Sequence, residues 1–258
     1  MSDAAPTKTG AVLRGGRGLV MLMLALLCGI LALPVVASGL VQGAGLGAKP
    51  AFPLARLLDW AASHVLIVLP AVLLAAILGL TSGIVVTRSG GRGLRPLVDR
   101  LVAASQAVPP VVVVALAFPV LGFGAAPTVL ALVIYCVMPL LRGTVGALEA
   151  VPGDAADAAR AMGMTRFQVL REVEFPLAWP VIAESLRVAL VLAVATAAVG
   201  ALAGASTLGT PIILGLQNQN EAYLLQGAAA TAALAFLADG LLMIAAGGRG
   251  APSRRLQR

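Results

Sequence analysis

The chain has 258 residues, of which 60% are hydrophobic and 11% charged. A soluble domain runs nearer to about half apolar and a quarter charged, so a single water-soluble globule is excluded and the chain reads as an integral membrane protein. The formal charge is +7, but the cations sit between apolar runs and aromatics are only 4%, a pattern of membrane orientation rather than of nucleic-acid binding.

A helix needs about 20 apolar residues to cross the hydrocarbon core. In chain order, 19–36 is a first span and 65–87 a second. Leu101 to Leu141 holds no charge at all. It is too long for one span and divides into 101–121 and 127–141, with Gly122-Phe123-Gly124 and Pro127 as the turn. Spans five and six follow at 181–203 and 222–246. The backbone must satisfy its own hydrogen bonds in lipid, so these runs predict helices, and they lack the alternation of a barrel. The expected fold is all-α and polytopic, with a tail 1–18, a transmembrane domain 19–247, a polar loop 143–176 and a tail 248–258.

Cations test this count. Lys8, Arg14 and Arg17 precede span one, and Arg88, Arg92, Arg95 and Arg100 separate spans two and three. Arg142, Arg160, Arg166 and Arg171 separate spans four and five, and Arg249, Arg254, Arg255 and Arg258 follow span six. Only Lys49 and Arg56 lie in the other loops, and Arg187 lies within a span. Basic loops stay cytoplasmic, which puts both termini on the cytoplasmic side. A cleaved signal ending near Val36-Ala37-Ser38 is the competing reading of the first span, which is rather long for one.

The two cysteines, Cys28 and Cys136, lie in apolar runs and read as small hydrophobes; no Cys/His cluster has metal spacing. His64, the only histidine, reads as a local hydrogen-bonding residue at the edge of a span.

The polar loop has a structure of its own. Pro152-Gly153-Asp154 reads as a helix start with Asp154 as the cap. Ala155 to Met162 is a strong helix former. Gly163 can take a positive φ and end that helix, and Thr165 can cap a second short helix running toward Glu174. Pro176 and Pro180 mark the return to the membrane. Two short helices set at an angle are therefore expected. Alanines 155, 156, 158 and 159 offer a low-profile surface for a partner.

Asp157-Ala158-Ala159, three residues, Gly163, nine residues, then Val173-Glu174-Phe175-Pro176 resembles the "EAA" loop of the permeases of ATP-binding-cassette importers. Asp157, Val173 and Phe175 are conservative changes from that pattern. The resemblance implies the type I importer permease fold, with Asp157, Ala158, Ala159, Gly163, Val173, Phe175 and Pro176 as the residues that engage a cytoplasmic ATPase. No Gly-x-x-x-x-Gly-Lys-[Ser/Thr] string occurs. The chain is therefore expected to be a transport subunit and not an enzyme, with no cofactor of its own, ATP being hydrolysed by a partner. A second permease subunit, identical or related, completes the machine.

Further strings resemble the permeases of osmoprotectant importers, which take up glycine betaine, carnitine or choline. They are Val108-Pro109-Pro110, Tyr135-Cys136-Val137-Met138-Pro139-Leu140-Leu141-Arg142, Ala161-Met162-Gly163-Met164-Thr165, Glu184-Ser185-Leu186-Arg187 and Leu237-Ala238-Asp239. Ala205-Ser206-Thr207-Leu208-Gly209 departs from the family's glycine-rich turn. The resemblance implies capture by a periplasmic or lipid-anchored binding protein.

Candidate path or gate residues are Gln106, Pro109, Pro110, Glu184, Arg187 and Asp239. Charges inside spans carry a functional expectation. Glu184 and Arg187 are three apart and suited to pair; Asp239 either meets a cationic solute or pairs with Arg187. Gly200 and Gly204 form a small-xxx-small pair, for a dimer interface or for packing within one subunit. The polar run 217–221 reads as solvated, a docking place for the binding protein or a plain loop. An importer of amino acids or sulfonates is the near alternative; an ion-coupled carrier lacks the inverted repeats and midspan charges it requires.

Overall fold

The computed structural model describes residues 9–88 and 90–247, and every element among them is helical. The expected tail 248–258 and residues 1–8 lie outside the described residues. The first helix, α1 (Thr9–Leu31), starts well inside the segment expected as an N-terminal tail. It is followed by α2 (Pro34–Gly43), bent 72° away from it. Leu33 is extended before Pro34, as the residue preceding a proline must be. Then come α3 (Leu54–Thr87), α4 (Arg95–Ala107), α5 (Pro110–Leu121) and α6 (Ala125–Glu149). The rest are α7 (Gly153–Ala161), α8 (Arg166–Gln168), α9 (Phe175–Ala197), α10 (Thr210–Gln217) and α11 (Glu221–Gly247).

Six uninterrupted spans are not found among the described residues. Four helical stretches among the described residues can cross a membrane unbroken, and a fifth passage is the bent α1–α2 pair. The expected span 101–121 is two helices. Val108 is extended and Pro109 and Pro110 carry no N–H, so the ladder stops at Ala107 and restarts at Pro110. α5 alone is about 18 Å long, short of the hydrocarbon core of about 30 Å. Together α4 and α5 run back along α6. Arg95 pairs with Glu149 at one end of α6, and the Gly122–Gly124 turn lies at the other. Hydropathy could not show this break, because prolines between valines stay apolar.

The other spans are longer than expected. α3 has 34 residues, about 51 Å, and begins at Leu54 rather than 65. α6 continues to Glu149, so 143–149 is helix and not loop. Arg166 to Ala203 is one helical rod of 38 residues: α8, a π-helical turn at Val169–Glu174, α9, and a 3-10 segment at Ala198–Ala203.

Small residues set the packing. A Cβ on Gly79 would sit 2.7 Å from Leu140 Cβ, and one on Gly83 2.7 Å from Thr144 Cβ, so α3 and α6 meet backbone to backbone. Cys136 and Leu140 of α6 and Ala71 and Ala75 of α3 join Ala189 and Ala193 of α9 in the central core. Both cysteines are free, Cys136 buried within that core.

Candidate functional site

The polar stretch folds into an elbow. α7 has no side-chain cap: Pro152 holds the N-cap position, and Asp154 sits in the first turn, where it complements the helix dipole without capping. The helix ends in a Schellman turn. Gly163 N–H donates to Arg160 O at 2.9 Å and Met164 N–H to Ala159 O at 3.2 Å, with Gly163 at φ +88°. Thr165 then caps α8 in a reciprocal box. Gln168 N–H donates to Thr165 Oγ1 (3.3 Å), and Thr165 N–H donates to Gln168 Oε1 (2.8 Å). The second helix does not stop near Glu174. It runs into α9 through the π-helical turn, which lies directly before Pro176 and widens the coil where a proline offers no N–H.

The seven expected coupling residues divide between two jobs. Ala159 and Val173 face inward, where Ala156, Ala159 and Val169 form a small cluster with Met164 and Val173 that holds the elbow's angle. Phe175 packs on Trp179 (centroids 5.8 Å) and Leu148 below. Asp157, Ala158, Gly163 and Pro176 are exposed, and Arg160 Nη1 lies 2.5 Å from Asp157 Oδ1. Met162 and Phe167, 76% and 68% exposed, flank the Gly163 turn. The sequence reading missed both; two large apolar side chains inside a polar loop were the available signal.

Behind the elbow is a polar cavity of about 870 Å³, lined by Arg88, Arg95, Arg160, Arg166, Glu149 and Glu174 among others. Arg95 makes a two-point contact with Glu149, Nη2 to Oε2 being 3.1 Å. The Glu149 hydrogen bond and charge raise the Arg95 pKa above its ordinary value. Arg88 Nη2 lies 2.6 Å from Glu174 Oε2, and Glu174 is only 8% exposed.

The candidate path residues are not brought together in one place. Glu184, Arg187 and Asp239 meet: Arg187 Nη1 donates to Glu184 Oε2 at 3.1 Å, and its Nε lies 2.6 Å from Asp239 Oδ1. Asp239 is buried and paired with Arg187. Pro109 and Pro110 form the α4–α5 break. Gln106 is in the last turn of α4, and its side chain lies outside those described.

Gly200 packs within the chain: a Cβ there would be 2.3 Å from Thr128 Oγ1. Gly204 takes φ +80° at the end of the 3-10 segment. His64 is well inside α3 rather than at a span's edge, and fully buried. Its Nε2 is 3.0 Å from Val194 O, and Leu208 N–H donates to Nδ1 at 3.2 Å.

In the run 217–221, Gln217, Asn218 and Gln219 are exposed as expected, but Asn220 is buried and the backbone is pinned. Gln219 takes φ +51°, and buried Asn220 donates through Nδ2 to Pro50 O (2.9 Å) and accepts from Ala222 N–H (3.0 Å). Lys49 Nζ donates to Gln219 O at 2.9 Å. Gln226, also fully buried, accepts from Phe52 N–H (2.8 Å) and donates to Phe52 O (3.0 Å) and Ala32 O (3.2 Å), fixing the α1–α2 bend. Phe52, Trp60 and Tyr223 cluster here. Phe52 stacks on Tyr223 with centroids 3.8 Å apart, and the Arg56 guanidinium lies over Trp60.

Residues 71–247 match the family described as binding-protein-dependent transport system inner membrane component. The chain belongs to that family. Within this transport family, the osmoprotectant import permease protein OsmY of Salmonella typhimurium is 36% identical over 179 residues, 69% of this chain and 76% of that protein. The glycine betaine/carnitine/choline transport system permease protein OpuCD of Bacillus subtilis is 38% identical over 177 residues, covering 68% and 76% respectively. The fold is that of a chain of the MetNI methionine ABC transporter in its inward-facing conformations. The TM-score is 0.67 at 22% identity, covering 76% of this chain and 98% of that one.

Proposed function

We propose that this inner membrane component is the permease subunit of an ATP-driven importer of a quaternary-amine osmoprotectant such as glycine betaine, carnitine or choline. The observation that carries the reading is the complete EAA spacing laid out on a helix–turn–helix elbow. The relatives, with 36% and 38% identity over some two thirds of the chain, supply the solute class.

The elbow at Gly163 is the coupling knuckle. Asp157, Ala158, Met162 and Phe167 meet a separate cytoplasmic ATPase, while Ala159 and Val173 keep the two helices rigid. ATP binds and is hydrolysed there, in the partner, and this chain holds no cofactor. Because the rod from Arg166 to Ala203 is continuous, a push on the elbow reaches the far end of the bundle through α9. A second permease subunit and a binding protein on the outer side complete the assembly. Both termini are cytoplasmic. Gln106, Pro109 and Pro110 border the path at the α4–α5 break, while Glu184, Arg187 and Asp239 hold its wall.

Reconstitution with the ATPase and binding protein tests this. ATP-dependent accumulation of labelled betaine, carnitine or choline is expected. ATP-dependent uptake of amino acids or sulfonates alone, or uptake without ATP, overturns it.

A further inference from the structure

The geometry points to Arg88 and Glu174 as positioning residues that carry the elbow's displacement into α3, which deepens the coupling reading and rests on it. Arg88 lies outside the spaced pattern that marks the elbow, and Glu174 lies within it but is not one of its seven expected coupling residues. Glu174 is the last residue of the π-helical turn, and Arg88 directly follows the last residue of α3. One end of the elbow rod is thus joined by charge to the end of a different membrane helix.

Three observations converge on this joint. Glu174 is 8% exposed, and its carboxylate needs a cation so close to the membrane. The contact is a single close approach of opposite charges, Nη2 to Oε2 at 2.6 Å, and neither the buried Arg88 Nε nor Glu174 Oε2 has a hydrogen-bond partner among the described residues. The guanidinium is therefore held by charge at one point without a fixed hydrogen-bond geometry, unlike the two-point Arg95–Glu149 contact nearby. Third, Glu174 ends a π-helical turn, a feature concentrated at functional sites. A turn that exchanges π for α pitch shifts its register, and the residue at its end moves most.

The mechanical consequence follows from packing. α9 is continuous with α8, so the elbow moves α9 directly. α3 is continuous with nothing in the elbow; it packs on α6 through Gly79 and Gly83 and on α9 through the apolar core, and the ion pair is the charged link between its end and the π-helical turn. With the ion pair in place, α3 and α6 follow the elbow together with α9. Without it, the drive reaches α9 more than α3, and hydrolysis proceeds with little transport.

The test uses the whole transporter in nanodiscs with four permeases: wild type, Glu174→Gln, Arg88→Gln and the exchange Arg88→Glu/Glu174→Arg. Hydrogen exchange is read first, because it needs no transported solute. Amides of 166–174 are expected to exchange at least about tenfold faster in both single variants, with α6 and α11 unchanged, and to recover in the exchange variant. ATP hydrolysed per solute imported is read second and is expected to rise about tenfold in the single variants and to fall back in the exchange variant. Unchanged protection of 166–174, or unchanged stoichiometry where wild type imports, overturns the joint, as does an exchange variant no better than the single ones. Wild type that imports no quaternary amine sinks the proposed solute class instead and leaves the exchange measurement to judge the joint.

Discussion

Arg187 on α9 and Asp239 on α11 form an interhelical ion pair, Nε to Oδ1 at 2.6 Å, within the helical bundle. Glu184 holds the same guanidinium from one turn away. Asp239 is the buried partner and Glu184 the exposed one. Arg187 therefore neutralises the costly charge and shares the other with solvent.

Breaking that pair from one side leaves a buried charge without its partner. Asp239→Asn and Arg187→Met are each expected to cost about 3 kcal/mol, the low end for a buried pair because Arg187 is partly exposed. The double variant Arg187→Met/Asp239→Asn is expected to recover much of it. Denaturant unfolding in detergent, run as a double-mutant cycle, measures the coupling. Additive losses would show that the contact contributes nothing. Apparent affinity for betaine is expected to stay within about twofold in Asp239→Asn; a larger change would make Asp239 a solute ligand.

Gly163 carries φ +88° with open space around its Cα. A side chain there meets no clash, so the cost is conformational alone. Gly163→Ala is expected to lose about 1 kcal/mol and Gly163→Val more, since β-branched residues avoid the left-handed region. Gly163→Asp fits the turn better but puts a charge on the exposed knuckle. All three are expected to insert normally. Val and Asp are expected to lose at least about tenfold in ATPase association, read by co-purification, and normal uptake by either would remove the elbow from the coupling path.

His64 spans two elements with one ring. Leu208 N–H needs a lone pair on Nδ1, so the proton sits on Nε2, facing Val194 O. His64→Leu leaves both backbone groups without partners and is expected to cost about 2–4 kcal/mol. Being the only histidine, it gives a single pair of ¹⁵N imidazole signals. One protonated and one bare nitrogen are expected; two protonated nitrogens would contradict the arrangement.

Gly209 and Gly200 are both closed to a Cβ, but against different neighbours. At Gly209 the added carbon would lie 1.9 Å from Ala198 O, which is backbone; at Gly200 it would lie 2.3 Å from Thr128 Oγ1, a side chain that can rotate. Gly209→Ala is expected to lower the melting temperature more than Gly200→Ala. Equal shifts in a detergent melting assay would refute the ordering.

Much of the elbow was legible beforehand. Gly163 as the helix stop and Thr165 as the next cap follow from local chemistry alone, and both appear as expected. Asp154 as a cap does not, because Pro152 takes the cap position and the helix starts two residues earlier. The end of the second helix was misplaced for a related reason. Pro176 reads as a break, but a π-helical turn absorbs it and the rod continues. The break at Pro109–Pro110 went the other way, since an apolar run hides a backbone interruption from any hydropathy count.

The order of residues by itself determined that the chain lives in a membrane, which loops carry the cations, and where a polar elbow interrupts the bundle. These depend on transfer energies and local backbone preferences, which each segment carries with it. Only the tertiary structure decided that Arg187 belongs to Asp239, Arg88 to Glu174, His64 to both Val194 and Leu208, and Gln226 to the bend at Ala32. Those partners are distant in sequence, and charge or hydrogen-bonding capacity names a need without naming the group that meets it.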